Sequence, residues 1–302
     1  MNLKRACNRE LTRIAAKVLL GAGVFLSLSL NPVFAEELDI VNRPVNTSGL
    51  TGLLFTTAPY TLAPGTVELG ASLVSESSTT PNYSLTEFPL SISVGVTKNS
   101  ELALRGSYFQ IKEGPTGTAP TVRKTGNLEL SYKWNFLPQP EDSIRPAVAL
   151  IIGGILPTGK NYDTKIDAVI HWGMRLGLSG GTEIRWKDHI FGIYADAQVK
   201  GQDLTKKSFS DLYEMYNAGL LFPISKYQNL QMFIEYTLVT GRKSTNPDGS
   251  KILNGGDYSG LTYGIRLVSE RFNLTIGAQF LRKETEGYDK SGKVIALLSM
   301  KF

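Results

Sequence analysis

Apolar and polar side chains alternate along most of this chain. Between residues 126 and 137, Leu128, Leu130, Tyr132, Trp134 and Phe136 fall on one side, and Asn127, Glu129, Ser131, Lys133 and Asn135 on the other. Between 88 and 97, Phe88, Leu90, Ile92, Val94 and Val96 oppose Ser91, Ser93, Gly95 and Thr97. Successive side chains of a strand point to opposite faces, so a period of two predicts strands with one oily and one polar face. Twelve such segments follow Gly65: 66–77, 88–97, 101–112, 126–137, 145–156, 168–186, 190–200, 211–224, 229–241, 258–269, 272–283 and 293–302. About ten residues suffice for a tilted strand to cross the hydrocarbon of a bilayer. The longest unbroken apolar run, Ala147 to Leu156, is about half of the ~20 residues a membrane helix needs, so any membrane passage is made by strands.

The predicted connections alternate in length. Long ones span 78–87, 113–125, 157–167, 201–210, 242–257 and 284–292. Short ones are 98–100, 187–189, 225–228 and 269–271, with 138–144 the longest of that set. Outer-membrane barrels have short periplasmic turns and longer outer loops; with both chain ends periplasmic, every long loop falls outside. On the apolar face, Trp134, Phe136, Trp186, Phe191, Phe222, Phe272 and Phe302 lie near periplasmic strand ends, and Phe88, Tyr108, Trp172, Tyr216, Tyr263 and Phe280 toward outer ends. Two belts are what rings favouring the headgroup region produce, whereas a soluble sandwich has no reason to sort aromatics by height. The last segment alternates to the final residue, with Val294, Ala296, Leu298, Met300 and Phe302 on one face. It resembles the terminal strand of bacterial outer-membrane barrels, which marks Phe302 as the signal read by the barrel-assembly machinery. The fold expected is all-β: an antiparallel transmembrane β-barrel of about 12 strands, in one domain over 65–302.

The N-terminus changes the reading of charge. Lys4, Arg5, Arg9, Arg13 and Lys17 precede an apolar stretch from Val18 to Leu30, and Asn31-Pro-Val-Phe-Ala35 offers small-residue cleavage. Residues 1–35 are therefore expected to be a signal peptide, exporting the chain to the outer membrane of a Gram-negative bacterium. With Glu10, that segment holds +4 of the formal +5, leaving the rest near +1; charge gives no argument for nucleic acid. The single cysteine is Cys7, so neither disulfides nor thiolate metal sites support the exported part. Residues 36–64 form a periplasmic lead segment. Its apolar, proline-interrupted stretch Leu50 to Leu62 either tucks into the lumen as a plug, stays a linker or adds a strand, the last disfavoured by Pro and by even strand numbers.

Two adjoining stretches carry a family resemblance: Gly126-Asn-Leu-Glu-Leu-Ser-Tyr-Lys133, then Arg145-Pro-Ala-Val-Ala-Leu150 leading to Leu156-Pro-Thr-Gly159. Over about 35 residues they resemble the outer-membrane transporter-like family labelled for the meta pathway of phenol degradation. Asn127 stands where that family has an acid after the glycine. The resemblance implies an uptake channel for small hydrophobic or aromatic compounds. Read as local chemistry alone, Leu-Pro-Thr-Gly is a turn.

The polar face carries Glu68, Glu76, Glu101, Glu129, Glu183, Asp196 and Glu235 against Arg105, Lys133, Arg175, Arg185, Lys200, Arg266 and Lys301. A charge-selective pore shows a ring of one sign, so this balance favours cross-strand ion pairs. Phe109, Ile151, Ile155, Tyr194, Tyr213, Met215, Leu221, Phe233 and Leu281 also face inward, where they receive an apolar solute or pack on Leu50–Leu62. The candidate solute path is Arg105, Phe109, Glu129, Lys133, His171, Arg175, Tyr194, Asp196, Phe233, Glu235 and Arg266. No metal or cofactor is expected. Asp163, Asp167 and His171 near an outer loop are thin support for hydrolysis, and Asn246-Pro-Asp-Gly249 and Asn254-Gly-Gly-Asp257 read as turns before calcium ligands. Lys206-Lys207 and Arg242-Lys243 lie in outer loops within reach of lipopolysaccharide, though such charges read as solvated loop residues first. The function expected is passive uptake of small, apolar molecules rather than enzyme catalysis; a closed structural or surface-interaction barrel, and then a hydrolase, are the alternatives.

Overall fold

The structure, a computed structural model, describes residues 43–79, 82–113, 121–140, 143–161, 172–187, 189–202, 212–224, 229–241, 256–283 and 289–302. Every regular element among them is a strand: β1 (Val67–Thr79), β2 (Asn82–Thr97), β3 (Ser100–Glu113), β4 (Thr121–Thr125), β5 (Leu128–Leu137), β6 (Ala147–Leu156), β7 (Lys160–Asn161), β8 (Gly173–Trp186), β9 (His189–Gln202), β10 (Leu212–Pro223), β11 (Leu230–Thr240), β12 (Tyr258–Val268), β13 (Phe272–Lys283) and β14 (Asp289–Lys301). β4 continues β5 along β3, and β7 continues β6, so the wall has twelve staves. Neighbours pair antiparallel, and β1 pairs with both β2 and β14 to close the ring. Closure gives each of the twelve staves a neighbour on both sides, which a lipid-exposed sheet requires.

All twelve expected strands are present, but several expected loops are shorter, those read at 113–125 and 157–167 by β4 and β7. The connection read at 78–87 is mostly ladder, since β1 and β2 remain paired as far as Thr79↔Asn82. Ser75, Ser77, Ser84 and Thr86 make the outward side of that hairpin polar while Leu85 is buried inside, so the apolar-outward alternation of the other strands gives no sign of it. Likewise β14 begins at Asp289, inside the connection read at 284–292. Within β2, Pro89 lacks an N–H. The pairing between β1 and β2 is interrupted between Ala71↔Leu90 and Val74↔Glu87 with the register kept, whereas pairing with β3 continues through Pro89↔Ser107.

The apolar faces point outward. Leu69, Leu90, Ile92, Leu104, Leu130, Tyr132, Trp134, Leu176, Leu178, Ile193, Leu220 and Leu261 are exposed, while Ser91, Ser93, Ser131, Lys133 and Asn135 behind them are buried. The aromatics meet laterally at two heights. Trp134–Phe136 (5.9 Å), Trp186–Phe191 (6.3 Å) and Phe191–Phe222 (6.4 Å) lie toward the end carrying the chain terminus, and Phe88–Tyr108 (6.2 Å) and Tyr263–Phe280 (6.5 Å) toward the loop end. Such a surface suits lipid. Leu130→Arg, at an outward position 42% exposed, should cost roughly 2–4 kcal/mol if it sits at the bilayer midplane. Reversible urea unfolding in lipid vesicles measures this; an unchanged midpoint would place the site away from hydrocarbon.

The buried core lies inside the ring. Residues 43–64 fold without regular secondary structure, apart from the isolated bridges Val45↔Thr51 and Gly52↔Thr57. They pack against inward-facing side chains from strands around the circumference.

Candidate functional site

The lumen is the candidate site, and its half nearer the chain terminus is filled. Leu53, Leu54 and Ala58 of the inner segment form one buried cluster with Val74, Ile190, Tyr194, Leu221, Phe233, Ile295 and Leu297 of the wall, with Phe55 and Tyr60 packed on it. Leu50 forms a second with Ala103 and Ile151. The wall makes room with glycine. A Cβ on Gly219 would lie 2.5 Å from Leu53 Cδ1, one on Gly277 2.4 Å from Leu54 Cδ1, and one on Gly181 3.2 Å from Pro59 Cδ. These holes match particular side chains of the segment.

An irregular segment removed from water must find partners for its backbone groups elsewhere, and here the charged wall supplies them. The Glu235 carboxylate accepts from three successive amides, Leu54 N (3.2 Å), Phe55 N (3.0 Å) and Thr56 N (2.7 Å). Asp196 accepts from Thr57 N at 2.7 Å, and Glu68 from Val45 N at 3.2 Å. Glu101 accepts from Thr51 N (2.9 Å) and Leu62 N (3.0 Å). Cations take the carbonyls: Lys133 Nζ donates to Ala58 O (2.8 Å) and Thr51 O (3.4 Å), Arg266 to Gly52 O (3.1 Å), and Arg105 to Thr47 O (2.8 Å). Ser179 Oγ donates to Thr57 O at 2.5 Å, and Ser93 Oγ to Gly49 O.

The mouth of the segment is tied separately. Arg43 Nε and Nη2 donate to the two oxygens of Glu183 (2.8 and 2.5 Å), and its guanidinium stacks 4.0 Å over the Tyr60 ring. Burial disfavours the Arg43 cation, yet the Glu183 carboxylate outweighs it and holds the pKa above its ordinary value. Burial and the same carboxylate push the Tyr60 phenol upward. Tyr60 donates to Gln139, which bonds the backbone of Glu183.

Nearer the loop end the charges pair with one another. Arg105 bridges Glu87 (2.6 Å) and Glu129 (3.3 Å), Lys200 reaches Glu129 (3.3 Å), and Glu76 holds Lys283 (2.8 Å) and Lys293 (3.1 Å). Arg175 is buried against Gln198 Oε1 (2.6 Å) and Ser131 Oγ (3.3 Å).

Of the residues read as a solute path, Arg105, Phe109, Glu129, Lys133, Arg175, Tyr194, Asp196, Phe233, Glu235 and Arg266 all face inward. His171 lies outside the described residues, as do Asp163, Asp167, Lys206, Lys207, Arg242 and the 246–249 and 254–255 turn residues. The inner ones do not border open space: Lys133, Phe233 and Glu235 are each 0% exposed. Cross-strand ion pairing accounts for Arg105, Glu129 and Lys200, but Glu235 and Asp196 are spent on the segment's amides, a use that strand periodicity cannot reveal. Arg185, opposite the buried Ile190 on the ladder, is exposed near the turn at the end of its strand. Arg43, Glu87, Lys283 and Lys293 were not singled out in the sequence: Arg43 and Glu87 lie outside the alternating stretches, and Lys283 and Lys293 at the very ends of two of them. Phe302 is exposed and paired with Val67 (Phe302 N to Val67 O, 2.9 Å), at the seam that closes the barrel.

The motif stretches meet at the loop end. Asn127 Oδ1 accepts from Gly159 N (3.0 Å), and Thr158 Oγ1 accepts from Leu128 N (2.9 Å). A Cβ on Gly126 would come 2.6 Å from Ser107 Oγ. The pattern is thus a reciprocal clamp between neighbouring staves.

No protein-family model matches the chain, and no curated protein is similar to it in sequence. Solved structures are. The COG4313 outer membrane channel from Pseudomonas putida F1 superposes with a TM-score of 0.56 at 12% identity, covering 81% of this chain and 98% of that one. LpxR from Salmonella typhimurium gives 0.50 at 11% identity, covering 77% and 99%. The fold of this chain is that of the outer-membrane β-barrels.

Proposed function

We propose that the protein is a passive outer-membrane channel for small molecules, held shut by residues 43–64, and that its solutes are apolar or aromatic. The observation that carries this reading is the match between the apolar side of the segment and the apolar patch of the wall. Leu50, Leu53 and Leu54 cover Ala103, Ile151, Leu221, Phe233, Ile295 and Leu297. A barrel interior meant to stay water-filled has no use for such a patch; uncovered, it would receive an apolar solute. The resemblance in the Gly126–Gly159 stretch points to the same solutes. Export through residues 1–35, assembly through the Phe302 strand end and contact of outer loops with lipopolysaccharide belong to the same proposal.

The number of bonds holding the segment favours a second reading, a barrel permanently closed and structural. Deleting residues 44–62 separates the two. In planar bilayers the deletion should convert rare, small current steps into large, long-lived ones, and vesicles should then take up a small aromatic solute faster. A correctly folded deletion protein with unchanged conductance would establish the closed barrel.

A further inference from the structure

The wall reads the main chain of residues 51–58, and almost none of their polar side chains. Within that stretch, wall side chains accept from the amides of Thr51, Leu54, Phe55, Thr56 and Thr57, and donate to the carbonyls of Thr51, Gly52, Thr57 and Ala58. Among the described wall residues, the one polar side chain they hydrogen-bond is that of Thr51, held by Glu101 and Lys133. Thr57 Oγ1 instead bonds Asn46 of the same segment. Specificity beyond the backbone comes from two holes, at Gly219 and Gly277, that take Leu53 and Leu54.

The occupant is also compact. Leu53 N donates to Thr56 O (2.9 Å) and Ala58 N to Thr51 O (3.0 Å), making a tight hairpin. Gly52 is required where its two arms meet, since a Cβ there would lie 2.1 Å from Thr56 O. Recognition through main-chain bonds with pockets for alternate side chains accepts any peptide of the right backbone shape.

We propose that this seat is a receptor for short apolar, turn-forming peptides, cyclic ones above all, and that residues 51–58 are its resident ligand. The proposal rests on the reading of residues 43–64 as a displaceable plug. A peptide whose ends are joined enters already folded, so it loses less conformational entropy on binding than a linear one. Such a ligand competes with the segment for Glu235, Asp196, Lys133 and Arg266.

The test keeps the folded full chain. A protease site inserted between Pro64 and Gly65, both exposed, allows the segment to be cut free after refolding and washed out in detergent. Head-to-tail cyclised Thr-Gly-Leu-Leu-Phe-Thr-Thr-Ala, added to the cut channel in a bilayer, should block its current. The same ring N-methylated at the positions of Leu54 and Phe55 loses two charge-assisted bonds and should need about tenfold more peptide, or beyond, for half-block. Equal block by both rings, or block by neither in a channel that has opened, would overturn the proposal. If cutting opens no channel, the plug reading fails, and binding of the fluorescently labelled ring to the cut, washed barrel decides this inference alone. Binding that N-methylation weakens supports it; absence of binding, or binding that N-methylation leaves unchanged, ends it.

Discussion

Replacing Gly277 with leucine should expel the tip of the inner segment and raise conductance with no change to the segment itself. Gly277 lies on the inner face of β13, and even a single Cβ there would stand 2.4 Å from Leu54 Cδ1. A full leucine side chain needs the volume that Leu54 occupies. Overpacking a filled interior costs about 1–3 kcal/mol, and the barrel wall, with ladders on both sides of β13, yields less easily than a segment held by side chains. The segment tip therefore moves. Once Leu54 leaves, the three amides bonded to Glu235 are pulled from the carboxylate together, so the loss is cooperative. Combining Gly277→Leu with Leu54→Gly should restore closure, because the second change returns the volume. Gly154→Leu is the control: it lies on the outward side of β6 with nothing within 4 Å of a Cβ, and should leave conductance unchanged. Single-channel recording reads all three. Closure persisting in Gly277→Leu, with no rescue needed, would show that the wall adapts and the seat is not specific.

Lys133→Met should destabilise the barrel by roughly 3–5 kcal/mol, the range for breaking a buried ion pair by removing one partner. Lys133 Nζ lies 2.9 Å from Glu101 Oε1 and both side chains are fully buried. The ammonium also donates to Thr51 Oγ1 at 2.5 Å and Ala58 O at 2.8 Å. Methionine fills similar space but leaves the Glu101 charge without its cation and takes the lysine donor from Thr51 Oγ1 and the Ala58 carbonyl. The double change Lys133→Met with Glu101→Gln should lose less than Lys133→Met alone, since no uncompensated charge then remains. Urea titration of the folded protein in lipid vesicles gives both values. A single variant as stable as the parent would mean that water reaches this pair, and hence that the segment packs loosely.

Much of the barrel can be read from residue order because its solvents are sorted. Lipid outside and polar interior inside impose a period of two on every stave, and Leu128 to Phe136 shows it as plainly in the chain as in the structure. The failures follow the same logic. At Ser75–Thr79 and Asn82–Thr86 the outward Ser75, Ser77, Ser84 and Thr86 are polar while Leu85 is buried inside, so the ladder extends without the apolar-outward alternation that would announce it. Glu87 borders that extension, and Lys283 and Lys293 sit at the ends of two expected strands, so their ion pairs to Arg105 and Glu76 depend on how far the ladders run.

Residue order alone therefore determined the strand number, the outward face, the aromatic belts and the inward direction of Glu129, Lys133, Asp196 and Glu235, because each is a local consequence of pleating. It left open what those charges meet. Only the tertiary structure decided that Glu235 holds amides of residues 54–56 rather than a neighbouring cation, and that Gly219 and Gly277 are sockets for Leu53 and Leu54. Those contacts join residues about 160 to 220 positions apart in the chain, and no periodic signal spans such a separation. They depend on the ring having closed around the segment, which is a property of the whole barrel and of no single stave.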